Sequence, residues 1–332
     1  MLLNYPQLAD VLKKSDDFYT EWDEWETIHA VKNALEKFHD VILIEADINA
    51  YQKFISEKPD IVFNIAEGSL GLSREAQIPA MLDFLNIPYT ASDPLTLSLC
   101  LNKARTKEIL NTYGIPTAKF SLIYSSSDLK NSNLDFPIIV KPVAEGSSKG
   151  VFNSSLINSF EQVNGFIDKY VEEYNQPLIA EEFLSGREFT VSLMGNGDEV
   201  EVLPIVEINF EALPKEINPI YSYEAKWILD GPEHQLDMYL CPADISSELE
   251  HEIKSSCIKT FHALNCRDWS RIDIRLDKNN IPNVIEVNPL PGILPDPKNN
   301  SCFPKSARTA GLTYDEMINN VLYFALKRYG MI

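Results

Sequence analysis

Residues 271–292 contain two carboxylates and an amide that could bind a divalent cation together. Apolar and polar residues alternate at 271–276 and 283–287 on either side of a polar turn, which predicts a β-hairpin. Because side chains alternate between the faces of a strand, Asp273 is predicted to lie opposite the end that carries Glu286 and Asn288. Oxygen ligands on rigid strands suit Mg²⁺, which usually also binds substrate phosphates.

The alternative interpretation of this hairpin is a solvated polar face, on which Arg271 forms an ion pair with Asp273 or Glu286. The Pro-Leu-Pro-Gly sequence at 289–292 favours the metal site instead. Two prolines and a glycine impose an abrupt change of chain direction directly beside the polar residues. The metal interpretation requires a phosphate-bearing ligand elsewhere in the pocket.

A glycine- and serine-rich loop at 143–150 is a candidate for that phosphate site. Its sequence, Val-Ala-Glu-Gly-Ser-Ser-Lys-Gly, leaves backbone N–H groups and hydroxyls able to surround phosphate oxygens. Lys141 at a strand end and Lys103 at a helix start could supply the positive charge. Flexible hairpins have the same composition, so this loop alone leaves both interpretations open.

Composition excludes several classes of function. The net charge of −20 opposes non-specific binding to nucleic acid or to anionic membranes. Five cysteines without C-x-x-C spacing argue against a disulfide framework or a zinc site. There is no signal peptide pattern and no run of about 20 apolar residues, so we expect a soluble cytoplasmic protein. H-E-x-x-H and G-x-S-x-G are both absent, which removes support for zinc or serine hydrolase chemistry.

The elements that must position these residues change character along the chain. Strands and helices alternate up to residue 91, which predicts a small parallel α/β domain. Residues 1–5 resemble the end of a first strand, which suggests that translation starts before Met1. Further on, the pattern predicts antiparallel strands, a long irregular connection at 207–240 and a closing helix. The predicted helices are 27–38, 51–57, 75–85, 102–113, 154–170, 245–264 and 314–328, and the predicted strands are 40–45, 60–65, 136–140, 177–182, 189–193 and 200–206.

Five motifs in order resemble the ATP-grasp superfamily, specifically enzymes similar to D-alanine–D-alanine ligase. They are found at 102–107, 140–148, 181–189, 223–226 and 271–288. The resemblance runs from about residue 60 to the end of the chain. It implies an α/β (α+β) fold with three domains, of which the second and third sandwich the nucleotide. The implied domains are 1–91, 92–184 and 185–332.

The resemblance also implies a reaction and a set of site residues. ATP would phosphorylate a substrate carboxylate, and a second substrate's amine would attack the acyl phosphate. Lys226 matches a lysine of a mobile loop that covers the nucleotide, and Arg271 matches an arginine that stabilises the tetrahedral intermediate. The implied residues are Arg271, Ser147 and Lys226 for catalysis; Lys103, Lys141, Glu145, Ser148, Glu181, Phe183, Leu184 and Glu188 for ATP; and Asp273, Glu286 and Asn288 for Mg²⁺, with Mn²⁺ as the alternative.

The motifs that bind the two substrates in this family are altered in the present sequence. The ligase's His-Gly-Gly-x-Ser motif has no clear counterpart, although Glu24 or Glu26 could replace its nearby glutamate. A His-Gly pair is replaced by Glu67-Gly68, and a loop tyrosine by Trp227, whose indole N–H cannot accept a hydrogen bond. The segment after Gly292 is longer than usual, with Ser301-Cys302 as a stand-in for the carboxylate-binding Ser-Leu pair.

We therefore expect an ATP-dependent carboxylate–amine ligase whose small-molecule substrates need not be D-alanine. The alternatives are a true D-alanine–D-alanine ligase, an enzyme that joins an amino acid to a small non-peptide metabolite, and a nucleotide-binding regulator without catalysis. An acidic structural protein would fit the composition alone. Nucleic acid and membrane are not expected as partners, and whether the chain forms a homodimer stays open.

Overall fold

The computed structural model describes residues 2–3 by their backbone, and residues 24–68, 70–163, 166–230 and 236–332 in full. In its N-terminal part, strands β1 and β2 pair in parallel, and Val62 forms a parallel bridge with Tyr89. The parallel pairing agrees with the prediction, but the strand predicted at 60–65 is reduced to two isolated bridge residues, Val62 and Asn64. The elements of this part are β1 (Leu2–Leu3), α1 (Trp25–Glu36), β2 (Ile44–Glu45), α2 (Ala50–Glu57) and α3 (Gln77–Leu85).

Helix α1 joins the N-terminal part to the end of the chain. Its buried face, with Ile28 and Val31, packs in one apolar cluster with Met317 and Val321 of α10 (Tyr314–Arg328). Apolar residues three and four positions apart lie on one side of a helix, which is why both helices present such a face. The bounds of α10 are those predicted from the sequence. Two further helices, α4 (Pro94–Leu101) and α5 (Lys103–Thr112), follow the N-terminal part.

Helix α5 begins and ends where its sequence directs. The Asn102 side chain accepts a hydrogen bond from the Arg105 N–H and caps the first turn. Gly114 adopts a φ of +65°, and the Ile115 N–H returns to the Leu110 carbonyl, which closes the last turn. Helix α4 was not predicted, because its sequence Pro-Leu-Thr-Leu-Ser-Leu-Cys-Leu alternates with the period of a strand.

The first antiparallel sheet has the strand order β3-β6-β4-β5. The prediction of one helix over 154–170 is wrong. Residues 156–157 pair with β4, and Ser155 Oγ accepts the Phe152 N–H, so local side-chain bonding competes with the helix there. The elements are β3 (Phe120–Ile123), α6 (Ser126–Asn131), β4 (Ile138–Pro142), β5 (Leu156–Ile157), α7 (Phe166–Tyr174) and β6 (Leu178–Glu182).

The second antiparallel sheet has the order β10-β9-β7-β11-β12, with β8 paired to β7. Its central strands pack Ile272 and Ile274 against Cys257 and Phe261 of α8. The predicted hairpin is confirmed as β11 and β12. The elements are β7 (Glu188–Gly195), β8 (Glu201–Val202), β9 (Val206–Ile208), β10 (Tyr239–Leu240), α8 (Ser247–Ala263), β11 (Asp268–Leu276), β12 (Pro282–Asn288) and α9 (Cys302–Thr309).

The proposed domain boundaries at 91/92 and 184/185 remain a proposal; the second falls between the two antiparallel sheets. Within the described ranges, no helix is both long enough and apolar enough to cross a bilayer.

Candidate functional site

A cavity of about 510 Å³ is lined by residues of both antiparallel sheets and by three glutamates from the N-terminal part. Every residue that the sequence nominated for catalysis, ATP or metal lines this cavity. Strand ends and loops from five distant motifs thus converge on one space, which is the arrangement expected of a small-molecule site.

The hairpin positions the candidate metal ligands. Asp273 lies directly opposite Glu286, and Arg271 opposite Asn288, with a bulge between Asp273 and Ile274. Asp273 accepts hydrogen bonds from Arg271 Nε and Nη2 at 3.1 Å each and from Asn288 Nδ2 at 3.2 Å. The predicted convergence of two carboxylates and an amide is therefore present, together with the Arg271–Asp273 ion pair of the alternative interpretation.

Thr190 on β7 also donates to Asp273, at 2.6 Å, so both carboxylate oxygens of Asp273 already accept donors. Burial by itself would lower the pKa of the Arg271 guanidinium, but the charge of Asp273, its hydrogen bonds with Arg271 and the other nearby groups together outweigh burial and raise the pKa. Arg271 therefore stays protonated. An incoming cation at Asp273 would have to compete with this arginine.

Lys103 connects the hairpin with the Gly-Ser loop, by which we mean residues 143–150. Its Nζ lies 2.7 Å from Glu286 Oε1 and also donates to the backbone carbonyl of Glu145. Its backbone N–H donates to the Val143 carbonyl at 2.9 Å. One buried ammonium group thus stands between the carboxylate side and the loop side of the cavity, where a phosphate would lie.

Glu181 is 2% exposed and forms a buried cluster with two lysines. Its carboxylate oxygens lie 2.7 Å from Lys141 Nζ and 2.6 Å from Lys107 Nζ. Burial alone would raise the pKa of Glu181, but the two ammonium groups outweigh burial and lower it to about 2. The Glu181 side chain therefore holds the two lysines in place, while its backbone belongs to strand β6.

The sequence analysis missed Lys107 in this cluster. It is one helical turn from Lys103, so both lysines lie on the same face of α5. That i, i+4 spacing was the available signal. Its carboxylate partner lies 74 positions away on β6, and no local pattern identifies it.

Most backbone N–H groups at the end of β6, beside the residues nominated for ATP, are already bonded within the protein. The N–H groups of Glu182 and Phe183 donate to the carbonyls of Lys119 and Pro137, each at 2.9 Å. In the described part of the chain, the Leu184 N–H donates to no protein acceptor. Of the three amides, Leu184 is thus the one available to a ligand.

Glu188 lines the cavity at the start of β7 and pairs with Arg275, Oε2 to Nη1, at 2.9 Å. Burial raises the pKa of Glu188, and Asp273 adds to this effect, whereas Arg275 opposes it. The Arg275 guanidinium also lies 4.6 Å from the centre of the Phe183 ring. Arg275 was not among the residues nominated from the sequence, yet it contacts two candidate nucleotide residues, Glu188 and Phe183.

The Gly-Ser loop takes a tight, left-handed path. Ser147 and Ser148 have φ values of +50° and +61°, and Gly150 has +70°. A Cβ atom at Gly150 would lie 2.4 Å from Cγ of Pro142, so this position requires glycine for space as well as conformation. The loop therefore returns directly against the end of β4, which keeps its backbone near Lys141.

The connection that carries Lys226 lies against this loop. Trp227 Nε1 donates to the Ser147 carbonyl at 3.2 Å, and Ser148 Oγ donates to the Tyr221 carbonyl at 2.8 Å. Lys226 belongs to the π-helical segment Glu224–Leu229, with its Nζ 5.0 Å from the Trp227 ring. Burial, followed by repulsion from Arg271, lowers the pKa of Lys226 to about 8.

The altered substrate residues also lie at the cavity. Glu24 and Glu67 line it, whereas Glu26 does not. Ser301 lines it too, but its hydroxyl accepts the Leu294 N–H at 3.2 Å and donates to the Gly292 carbonyl at 3.1 Å. The Ser301 hydroxyl thus stabilises the longer segment itself.

Comparisons with known proteins give consistent matches. The family described as D-ala D-ala ligase C-terminus matches residues 109–323. The uncharacterised protein y4sG of Sinorhizobium fredii is 34% identical, over 93% of this chain and 90% of its own. The D-alanine–D-alanine ligase of Cupriavidus taiwanensis is 31% identical, over 79% of this chain and 75% of its own. The structure of the Bacillus anthracis D-alanine–D-alanine ligase complexed with ATP has the same fold (TM-score 0.73, 20% identity, 99% and 97% covered).

Proposed function

We propose that this chain, which belongs to the D-alanine–D-alanine ligase family of the ATP-grasp superfamily, joins a carboxylate to an amine through an acyl phosphate. One observation carries the proposal. Lys103 contacts both Glu286 of the hairpin and the Glu145 carbonyl of the Gly-Ser loop, so the groups suited to a metal and to phosphates share one space. A hairpin that served only as a polar surface would not require a buried lysine between it and the Gly-Ser loop, because burying a charge costs free energy.

In the proposed reaction, an oxygen of the substrate carboxylate attacks the γ-phosphorus of ATP, and ADP leaves. Lys103, Lys141 and the Gly-Ser loop bind the phosphates of ATP, and the Leu184 N–H is available to its adenine ring. The amine of the second substrate then attacks the acyl carbon, and phosphate leaves. Arg271, kept protonated beside Asp273, is placed to stabilise the negative charge on the intermediate.

The donor set at the hairpin fits Mg²⁺. Asp273 and Glu286 supply carboxylates, and Asn288, whose Nδ2 donates to Asp273, retains its amide oxygen. Among the described residues, no group of three or more His, Cys, Asp or Glu side chains is arranged for a metal. Two carboxylates and an amide are what Mg²⁺ shares with substrate phosphates, and it would neutralise charge during phosphoryl transfer.

We further propose an acid–amino-acid ligase whose substrates differ from two molecules of D-alanine. Glu67 and Trp227 line the cavity in place of the family's histidine and tyrosine, and Ser301 holds its own segment. The printed name of the Cupriavidus taiwanensis relative supports the alternative, a true D-alanine–D-alanine ligase. A cytoplasmic location and small-molecule substrates remain expectations, and homodimer formation stays open.

A substrate screen tests the function. The chain is incubated with ATP, Mg²⁺ and pairs of amino acids and small acids, and phosphate and the coupled product are both measured. We expect phosphate release that requires an acid and an amine together. Efficient D-alanyl-D-alanine formation would favour the alternative instead. Nucleotide binding without phosphate release for any pair would indicate the non-catalytic regulator.

A further inference from the structure

Arg74 is a buried arginine outside the nominated catalytic, ATP and metal residues, and it contacts the Gly-Ser loop from the N-terminal part of the chain. It is 5% exposed and begins the 3₁₀ turn Arg74–Ala76. Its Nη1 donates to the Ala144 carbonyl at 2.8 Å, and its Nη2 lies 3.4 Å from Glu145 Oε2. Arg74 does not line the cavity itself, so any effect on a ligand must pass through the loop.

Glu145 transmits the contact toward the reacting end. Its Oε1 accepts a hydrogen bond from Gln176 Nε2 at 2.7 Å, and its Oε2 lies 3.1 Å from Lys149 Nζ. Its backbone carbonyl accepts from Lys103, which pairs with Glu286 at 2.7 Å. A continuous series of contacts thus runs from Arg74 through Glu145 and Lys103 to Glu286.

On its other side, Arg74 is pressed against the turn that carries Glu67. Gly68 has a φ of +75°, and a Cβ atom there would lie 2.6 Å from the Arg74 carbonyl oxygen. Only glycine permits so close an approach. Because Glu67 lines the substrate end of the cavity, Arg74 lies between that end and the phosphate loop.

We propose that Arg74 is a positioning residue that holds the Gly-Ser loop in its nucleotide-binding conformation and offsets the charge of Glu145. This inference rests on the proposed function for the identity of the loop's ligand. A carboxylate inside a phosphate-binding loop repels polyphosphate unless cations neutralise it. Arg74 and Lys149 both contact Glu145 Oε2, and Arg74 also packs against the Glu67–Gly68 turn through its backbone.

Calorimetric titration with the non-hydrolysable analogue AMP-PNP and Mg²⁺ tests this role. We expect Arg74→Gln to weaken binding about tenfold, the size typical of removing a residue that orders a ligand-binding group. Arg74→Lys retains the charge and should restore part of the affinity. Arg267→Gln is the matched control, since Arg267 also forms an ion pair with a carboxylate distant in sequence, Asp93 at the start of α4, at 2.6 Å, but away from the loop.

A double-mutant cycle separates positioning from general stability. If Arg74 acts through Glu145, Arg74→Gln should lower affinity less in a Glu145→Gln background than in the wild type. Equal binding by Arg74→Gln and wild type would overturn this proposal and leave the proposed function intact. An equal loss in Arg267→Gln would also overturn it. A wild-type chain that does not bind AMP-PNP would overturn both proposals.

Discussion

Replacing Glu181 by glutamine should reveal how strongly the buried lysine cluster stabilises this fold. The variant keeps the shape of the side chain but removes the negative charge between Lys107 and Lys141. The pKa of Glu181 falls from 4.5 to about 2 in the folded chain. At about 1.4 kcal/mol per pKa unit, the ionised carboxylate stabilises the folded state by about 3 kcal/mol at neutral pH.

The sign of the pH dependence follows from the direction of this shift. Because the pKa of Glu181 is lower in the folded than in the unfolded chain, the ionised carboxylate stabilises the folded state. This stabilisation is complete above about pH 4.5 and is lost as the pH falls toward 2. Urea unfolding of the wild type and of Glu181→Gln across pH 2.5–7 measures this contribution. At pH 7 the free energies of unfolding of the two proteins should differ by about 3 kcal/mol. The difference between the two proteins should shrink steadily below pH 4.5.

Glu182→Gln is the matched control for this experiment. Glu182 is the next residue on β6, and its partner Lys119 is half exposed, so the loss should stay within about 1 kcal/mol. A difference between wild type and Glu181→Gln that stays constant from pH 3 to pH 7 would refute the assigned cluster. So would a loss in Glu182→Gln as large as that in Glu181→Gln.

Three further predictions test the site. Glu286→Gln should lower turnover by about 10²–10³-fold, while the thermal unfolding temperature stays close to that of the wild type. Unchanged rates at saturating Mg²⁺ would exclude Glu286 as a metal ligand. Because the pKa of Lys226 is about 8, its ammonium group loses its proton as the pH passes 8, and KM for ATP should then rise. Lys226→Arg, which stays protonated, should show no such rise. Gly150→Ala should weaken AMP-PNP binding, because the added Cβ would collide with Pro142. Gly197→Ala is the control, since Gly197 also has a positive φ but an open surrounding, and it should leave binding unchanged.

The local patterns of the sequence determined much of the fold and the hairpin. A period of two residues on each strand and a four-residue polar turn predicted a hairpin with Asp273 opposite the end that carries Glu286 and Asn288. The exact pairing of Asp273 with Glu286 depends on the bulge between Asp273 and Ile274, which the pattern did not indicate. Helix α10 has the predicted bounds, because its apolar period and its Thr313 capping box are both local. The pattern failed at 154–170, where Ser155 and a strand partner compete with the helix.

The tertiary structure alone decided which charges distant in sequence meet. Lys107 pairs with Glu181, Arg275 with Glu188, and Arg74 with Glu145, across 74, 87 and 71 positions of sequence. Periodicity describes which face of an element a side chain occupies, but it carries no information about the remote element that packs there. An ion pair also becomes strong only when packing removes water from it, so the sequence could supply the candidate residues while the fold selected their partners.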